Sequence, residues 1–199
     1  YAGTNACGSN FVGWQWQAGK GTTSSNTNGS ITSTVSVNTT SGFSIVTYTG
    51  TGANATVGHG LGVAPKMIIV KNISAIESWR VYHTSLGATN YMDLNGTGAS
   101  TSSSSVWNNT APTSSVFSVG TSGATNNSGD AFVAYCWAPV AGYSNFGKYT
   151  GNGSSDGPFI YTGFRPKFIL TKNVLRNYLY YKMQITKIKL TLFKQEFLF

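Results

Sequence analysis

Charged residues are scarce in this sequence. They make up 9% of it, against the usual quarter, so solubility rests on Ser, Thr, Asn and Gly. The five acids are Glu77, Asp93, Asp130, Asp156 and Glu196. Glycoside hydrolysis needs two facing carboxylates, and so small a set argues against it. The two histidines, His59 and His83, have no neighbouring Cys or paired carboxylate, which leaves out the usual zinc spacing. Gly58, Gly60 and Gly62 miss both the dinucleotide fingerprint and the phosphate-loop spacing, and no serine nucleophile elbow is present. No apolar run approaches the ~18 residues of a membrane-spanning helix. The expectation is therefore a non-enzyme with no catalytic residues, no cofactor, no metal and no membrane insertion. His59, in its glycine loop, reads as a turn residue. Asp156, in Asn152-Gly-Ser-Ser-Asp-Gly, offers one carboxylate where calcium prefers several and also reads as a turn.

The net charge of +8 raises the question of nucleic acid. Its distribution argues against that partner. Arg176, Lys182, Lys187, Lys189 and Lys194, less Glu196, place +4 near the C-terminus. Lys66, Lys71, Lys167 and Lys172 sit at the ends of apolar segments, as lysines that protect strand edges do. No aromatic-basic RNA motif is present.

What the chain has in abundance is itself. Thr4, Asn5, Gly8, Phe11, Val12 and Trp16 return 121 positions later as Thr125, Asn126, Gly129, Phe132, Val133 and Trp137. A second set returns after 100 or 101 positions: Gly42-Phe-Ser as Gly142-Tyr-Ser, Tyr48-Thr-Gly as Tyr149-Thr-Gly, and Pro65-Lys-Met-Ile-Ile-Val-Lys-Asn as Pro166-Lys-Phe-Ile-Leu-Thr-Lys-Asn. A fixed period marks an array of like modules. From Trp16 to Gly42 is 26 positions and from Trp137 to Gly142 only 5, so one junction carries an insertion. The predicted organisation is the end of a preceding module at 1–16, a connector rich in Gly, Ser, Thr and Asn at 17–41 that reads as solvated or as a lone strand with loops, a complete module at 42–137, and the start of a following module at 138–199. The chain reads as a piece of a longer protein. Cys7 and Cys136 are not equivalent in the repeat, which favours two free thiols over a disulfide framework.

The 24 glycines and many β-branched residues suit short strands and tight turns. Strands are predicted at 43–48, 67–70, 78–83, 89–94, 115–119 and 131–137. The last is apolar on both alternating faces, as in a central strand covered on both sides. The fold class that follows is all-β, with tandem antiparallel β-sandwich modules, one complete and two partial. From about residue 174 the composition changes: no Gly or Ser occurs in 174–199. Lys187 to Leu192 alternates like a closing strand, and a changed reading frame near 174 is the other explanation.

These motifs resemble the repeat region of uncharacterised tailed-bacteriophage tail-fibre and virion structural proteins. The resemblance rests on Asn28-Gly-Ser-Ile-Thr-Ser, Gly42-Phe-Ser-Ile-Val-Thr-Tyr-Thr-Gly, Val57-Gly-His-Gly-Leu-Gly-Val-Ala-Pro-Lys-Met-Ile-Ile-Val-Lys, Pro112-Thr-Ser-Ser-Val-Phe-Ser-Val-Gly, Phe132-Val-Ala-Tyr-Cys-Trp and Gly157-Pro-Phe-Ile-Tyr-Thr-Gly-Phe-Arg-Pro. It covers about residues 1–173. It implies a virion protein, assembled in the host cytoplasm, with a mechanical and adhesive role in host attachment. The partners implied are other virion proteins, further copies of the chain in a homo-oligomer, and a host surface glycan or protein. It carries over no catalytic or binding residues.

The alternative is a carbohydrate-binding module with sugars stacked on exposed rings. Trp16 and Trp137 are repeat-equivalent ends of apolar strands and read as core. Trp107 lies in the polar stretch Ser105-Val-Trp-Asn-Asn and reads as the exposed aromatic. Trp107, Asn108 and Asn109 are therefore the candidate ligand contacts.

Overall fold

The computed structural model describes residues 7, 8, 10 and 15–175. The described chain forms β1 (Ser24–Asn26), β2 (Ser33–Asn38), β3 (Phe43–Thr49), β4 (Ala55–Gly58), β5 (Met67–Asn72), β6 (Arg80–His83), β7 (Asn90–Asp93), β8 (Thr101–Ser102), the one-turn helix α1 (Ser104–Trp107), β9 (Val116–Val119), the one-turn helix α2 (Gly123–Asn126) and β10 (Ala131–Trp137). Eight strands make one sheet in the order β1-β2-β3-β10-β5-β6-β7-β8, and β4 pairs with β9. Each strand pairing is antiparallel. The fold is all-β.

β10 is the last strand in sequence and lies mid-sheet, with Ala134 opposite Val46 of β3 on one side and Val70 of β5 on the other. The period of two sends Phe132, Ala134 and Cys136 to the inner face, where they are fully buried. There they join Val46, Tyr48, Ile68 and Val70 in one cluster with Val57, Phe117 and Val119 of the β4–β9 pair. Tyr48 stacks on Phe132 at 5.1 Å and meets Phe117 edge-on at 6.1 Å. Each such ring, fully buried, contributes about 1.5–3 kcal/mol. The layer over this face is two strands and two helical turns, smaller than the sheet it covers. The outer face carries a second cluster around Ile69, Val81 and Met92, flanked by half-buried Met67, Trp79, Tyr135 and Trp137.

The repeated motifs meet in space. The Tyr48 hydroxyl donates to the Thr125 carbonyl at 2.6 Å. The Gly50 N–H donates to the Asp130 carbonyl, and the Gly129 N–H to the Gly50 carbonyl, both at 2.9 Å. A Cβ at Gly50 would overlap the Asn127 carbonyl, so only glycine admits this approach. Asn126 is fully buried. Its carbonyl oxygen accepts the Thr51 N–H at 2.8 Å, and its amide donates to the Ala53 and Gly120 carbonyls at 2.5 and 2.8 Å. Asn72 accepts the N–H groups of Ser74 and Ala75 and donates to Gly123 and Asp130. These bonds satisfy backbone groups that the loops would otherwise bury unpaired.

Three expectations are corrected. Residues 17–41 are more than a connector: β1 and β2 fall there, and β2 extends the main sheet beside β3. The β strands therefore begin before Gly42. The segments 143–149 and 167–173, counterparts of β3 and β5, form no strands, so the two sets of segments do not superpose. The repeat is a property of the sequence that the described structure realises as one module. Among the described residues no strands flank them as strands flank β3 and β5, and Tyr143 and Tyr149 are exposed. Lys71 guards no edge: β5 is internal, and Lys71 Nζ donates to the carbonyls of Asn72, Ala75 and Glu77 at 2.7, 3.3 and 3.0 Å. Residues 11–14, in the counterpart of β10 within the expected preceding module, lie outside the described residues, as does the expected closing strand at 187–192.

Candidate functional site

Trp107, Asn108 and Asn109 occupy a tight helix exit. Ser103 caps α1 by accepting the Ser105 N–H at 3.3 Å. Asn108 and Asn109 then take φ values of 49° and 50°, the left-handed conformation that asparagine tolerates best after glycine. This turn swings Trp107 inward, and the ring is only 2% exposed. It meets Tyr82 edge-on at 6.0 Å. The expectation of an exposed platform at Trp107 is corrected: the polar residues after it are turn formers, and the ring belongs to the core. Its buried Nε1–H has no hydrogen-bond partner among the described residues. Asn108 is half-buried and Asn109 exposed, which leaves the loop tip at the surface without an exposed ring of its own.

His59 is also a structural peg. It is fully buried. Its Nδ1 accepts the Leu61 N–H at 3.2 Å, which fixes the neutral tautomer whose Nε2–H donates to the Thr113 carbonyl at 3.2 Å. Burial lowers its pKa, against a smaller opposing effect of the Thr113 bond. His83, whose Nδ1 accepts the Ser85 N–H at 3.1 Å, is lowered by burial too. Asp156 lies exposed in a turn closed by the Gly157 N–H to the Ser154 carbonyl at 3.1 Å. Among the described residues no three His, Cys, Asp or Glu side chains come together as a metal site. Cys7 is exposed and Cys136 buried, both free, and burial pushes the Cys136 thiol far up.

The aromatic surface lies elsewhere, on the outer face of the sheet. Phe43 and Trp137 meet at 5.1 Å, Tyr135 and Trp137 at 6.2 Å, and Trp79 and Tyr135 at 6.4 Å. Phe43 comes from β3, Trp79 from the residue before β6, and β10 places Tyr135 and Trp137 on one face because they are two residues apart. Trp16 adds its ring edge-on to Trp137 at 6.0 Å. Trp16 is 43% exposed and Trp137 half-buried, so the reading of both as core is corrected. The alternation in Phe132-Val-Ala-Tyr-Cys-Trp was the available signal: the small-residue set with Phe132 faces inward, and the bulky set faces out. Chemically this surface offers π-faces and ring edges, suited to stacking and apolar contact rather than to proton transfer.

No curated protein and no solved structure matches the chain. Residues 1–184 match a family described as Domain of unknown function (DUF7483). That match spans the whole sheet and both aromatic faces, and the chain belongs to the DUF7483 family.

Proposed function

We propose that this chain is a stretch of a tandem β array in an appendage of a tailed-phage particle, a tail fibre or a related structural protein. Its role is mechanical and adhesive: it carries and presents a surface for host attachment. One observation carries the scaffold reading. The residues that the chain keeps between its copies are those that hold the sheet together. Tyr48, Gly50, Thr125, Asn126 and Gly129 tie the loops at one end. Ser44 donates to the His59 carbonyl at 2.6 Å, and the Lys66 N–H to the Trp137 carbonyl at 2.8 Å. His59 itself is replaced by Ile160 in the second copy. A sequence repeated for a binding or catalytic site would keep site residues; this one keeps closures of a fold, as stacked structural repeats do. The assignment to a phage particle comes from the motif resemblance, and with it the partners: other virion proteins, further copies of the chain and a host surface glycan or protein.

The second reading is a carbohydrate-binding module. The half-exposed rings of Trp16 and Trp137 favour it, since stacked sugars need such faces. Immunogold labelling with antibodies against the chain separates the two. The expected result is decoration of a tail appendage on particles of the phage that encodes it, with purified chain competing for adsorption. Absence of label from particles, together with saturable glycan binding by the purified chain, would overturn the appendage reading.

A further inference from the structure

Three residues from beyond the module are seated on its outer face. Trp16 meets Trp137 edge-on at 6.0 Å and Phe168 edge-on at 5.6 Å. Val174 packs against the cluster of Ile69, Val81 and Met92. Its carbonyl accepts the Ser100 N–H at 3.1 Å, and Lys172 Nζ donates to the Gly96 carbonyl at 2.7 Å.

The repeat gives these contacts a meaning. Trp16 is the counterpart of Trp137, and Phe168 the counterpart of Met67. Trp137 and Met67 are themselves register partners across β10 and β5. The pair formed by Trp16 and Phe168 is therefore a second copy of the Trp137–Met67 pair, and its tryptophan lies on the tryptophan of that pair. Trp16 comes from the preceding unit and Phe168 from the following one, yet they meet as their counterparts do within one module.

We infer that the outer aromatic face is a module-to-module docking surface, on which each module seats the tryptophan ending its central strand against the same tryptophan of its neighbour. The occupant is the preceding unit of the same chain, through its Trp16. This rests on the tandem-array reading above. The contact is not symmetric, because one tryptophan gives its edge and the other its face; such a head-to-tail relation can repeat from unit to unit along an array. Successive modules are then held against one another, rather than hanging as separate beads on linkers. The rings suit such a contact, because edge-on aromatic packing is favourable without any charge. Lys71, on the same face, has its ammonium group turned to backbone carbonyls.

Hydroxyl-radical footprinting of the full chain, read by peptide mass spectrometry, tests this. Trp137 should be labelled slowly. Trp16→Ala should raise its labelling several-fold and leave Trp107, buried on the opposite face, unchanged. Trp16→Phe should restore protection, since an edge-on ring remains. Rapid labelling of Trp137 in the parent chain, or no change with Trp16→Ala, would overturn the docking surface. Protection that fades on dilution would place another chain there and overturn the in-chain occupant. Particle labelling reads the appendage assignment separately, so either idea can fail while the other stands.

Discussion

The Tyr48 hydroxyl and the Thr125 carbonyl lie 2.6 Å apart across 77 residues of sequence. The bond joins two motifs that the chain repeats, and it lies within the buried core, where burial holds the Tyr48 phenol well above its ordinary pKa. A neutral donor and a neutral acceptor are thereby locked together. Tyr48→Phe keeps the stacked ring and strands the Thr125 carbonyl. It should cost about 1–3 kcal/mol in urea unfolding. A change within about 0.5 kcal/mol, the range of ordinary surface substitutions, would show that water replaces the hydroxyl at no expense.

Asn126 should matter more. Its side chain satisfies the Thr51 N–H and the Ala53 and Gly120 carbonyls while fully buried. Asn126→Ala leaves several polar groups unpaired, each costing about 1–3 kcal/mol. The expected loss is above that of Tyr48→Phe, and a smaller loss in the same assay would refute the ranking.

The two tryptophans of opposite faces should separate. Trp107→Ala removes a buried ring and should cost about 3–5 kcal/mol. Trp137→Ala removes a half-buried one and should cost less, about 1–3 kcal/mol by the area it covers. Equal losses would mean that the outer face is as tightly packed as the inner.

The thiols give a reactivity contrast. Cys136 is fully buried with its thiol pushed up, and only the thiolate reacts. An aromatic disulfide reagent should modify Cys7 promptly and Cys136 only on unfolding. Simultaneous modification in the native protein would place Cys136 at the surface.

Mild acid should weaken the fold. The folded pKa of His59 lies below 6.5, so the unfolded chain takes up this proton at higher pH than the folded one. The stabilisation is fully present above the unfolded value and is lost as pH falls through the folded one. His83 shifts the same way. The urea midpoint should therefore fall between about pH 7 and about pH 5. His59→Gln should flatten that slope, and a slope unchanged by the substitution would exclude His59 as its source.

Strand positions were legible where alternation and turn residues coincide: 43–49, 67–72 and 131–137 carry both signals. Antiparallel β architecture followed from them. β1 and β2 were hidden because Ser24–Asn26 and Ser33–Asn38 are largely polar; their place in the sheet comes from pairing with β3, not from their own pattern. The pairing of β4 with β9 links segments some 60 residues apart, which no local signal reveals. Trp107 misled because Asn108 and Asn109 look like a polar surface, although their chemistry serves a left-handed turn. The repeated motifs were visible as sequence, but that the copies at 143–149 and 167–173 form no strands was not. Their work as loop ties needed coordinates, since Asn72 and Asn126 each act on residues far along the chain.

The sheet's middle strand being its last in sequence bears on synthesis. Until Trp137 has cleared the ribosome, β3 and β5 each wait with an unfilled side, and the eight-stranded sheet exists only as two separate pieces. Closure is then a late insertion governed by long-range contacts, which slows folding. In the proposed array of similar units the nearest available strand of the right pattern is not always the correct one, and exchange between neighbours is the characteristic failure of repeat proteins. Vectorial emergence would answer that hazard in such an array: β10 arrives before any following unit is made.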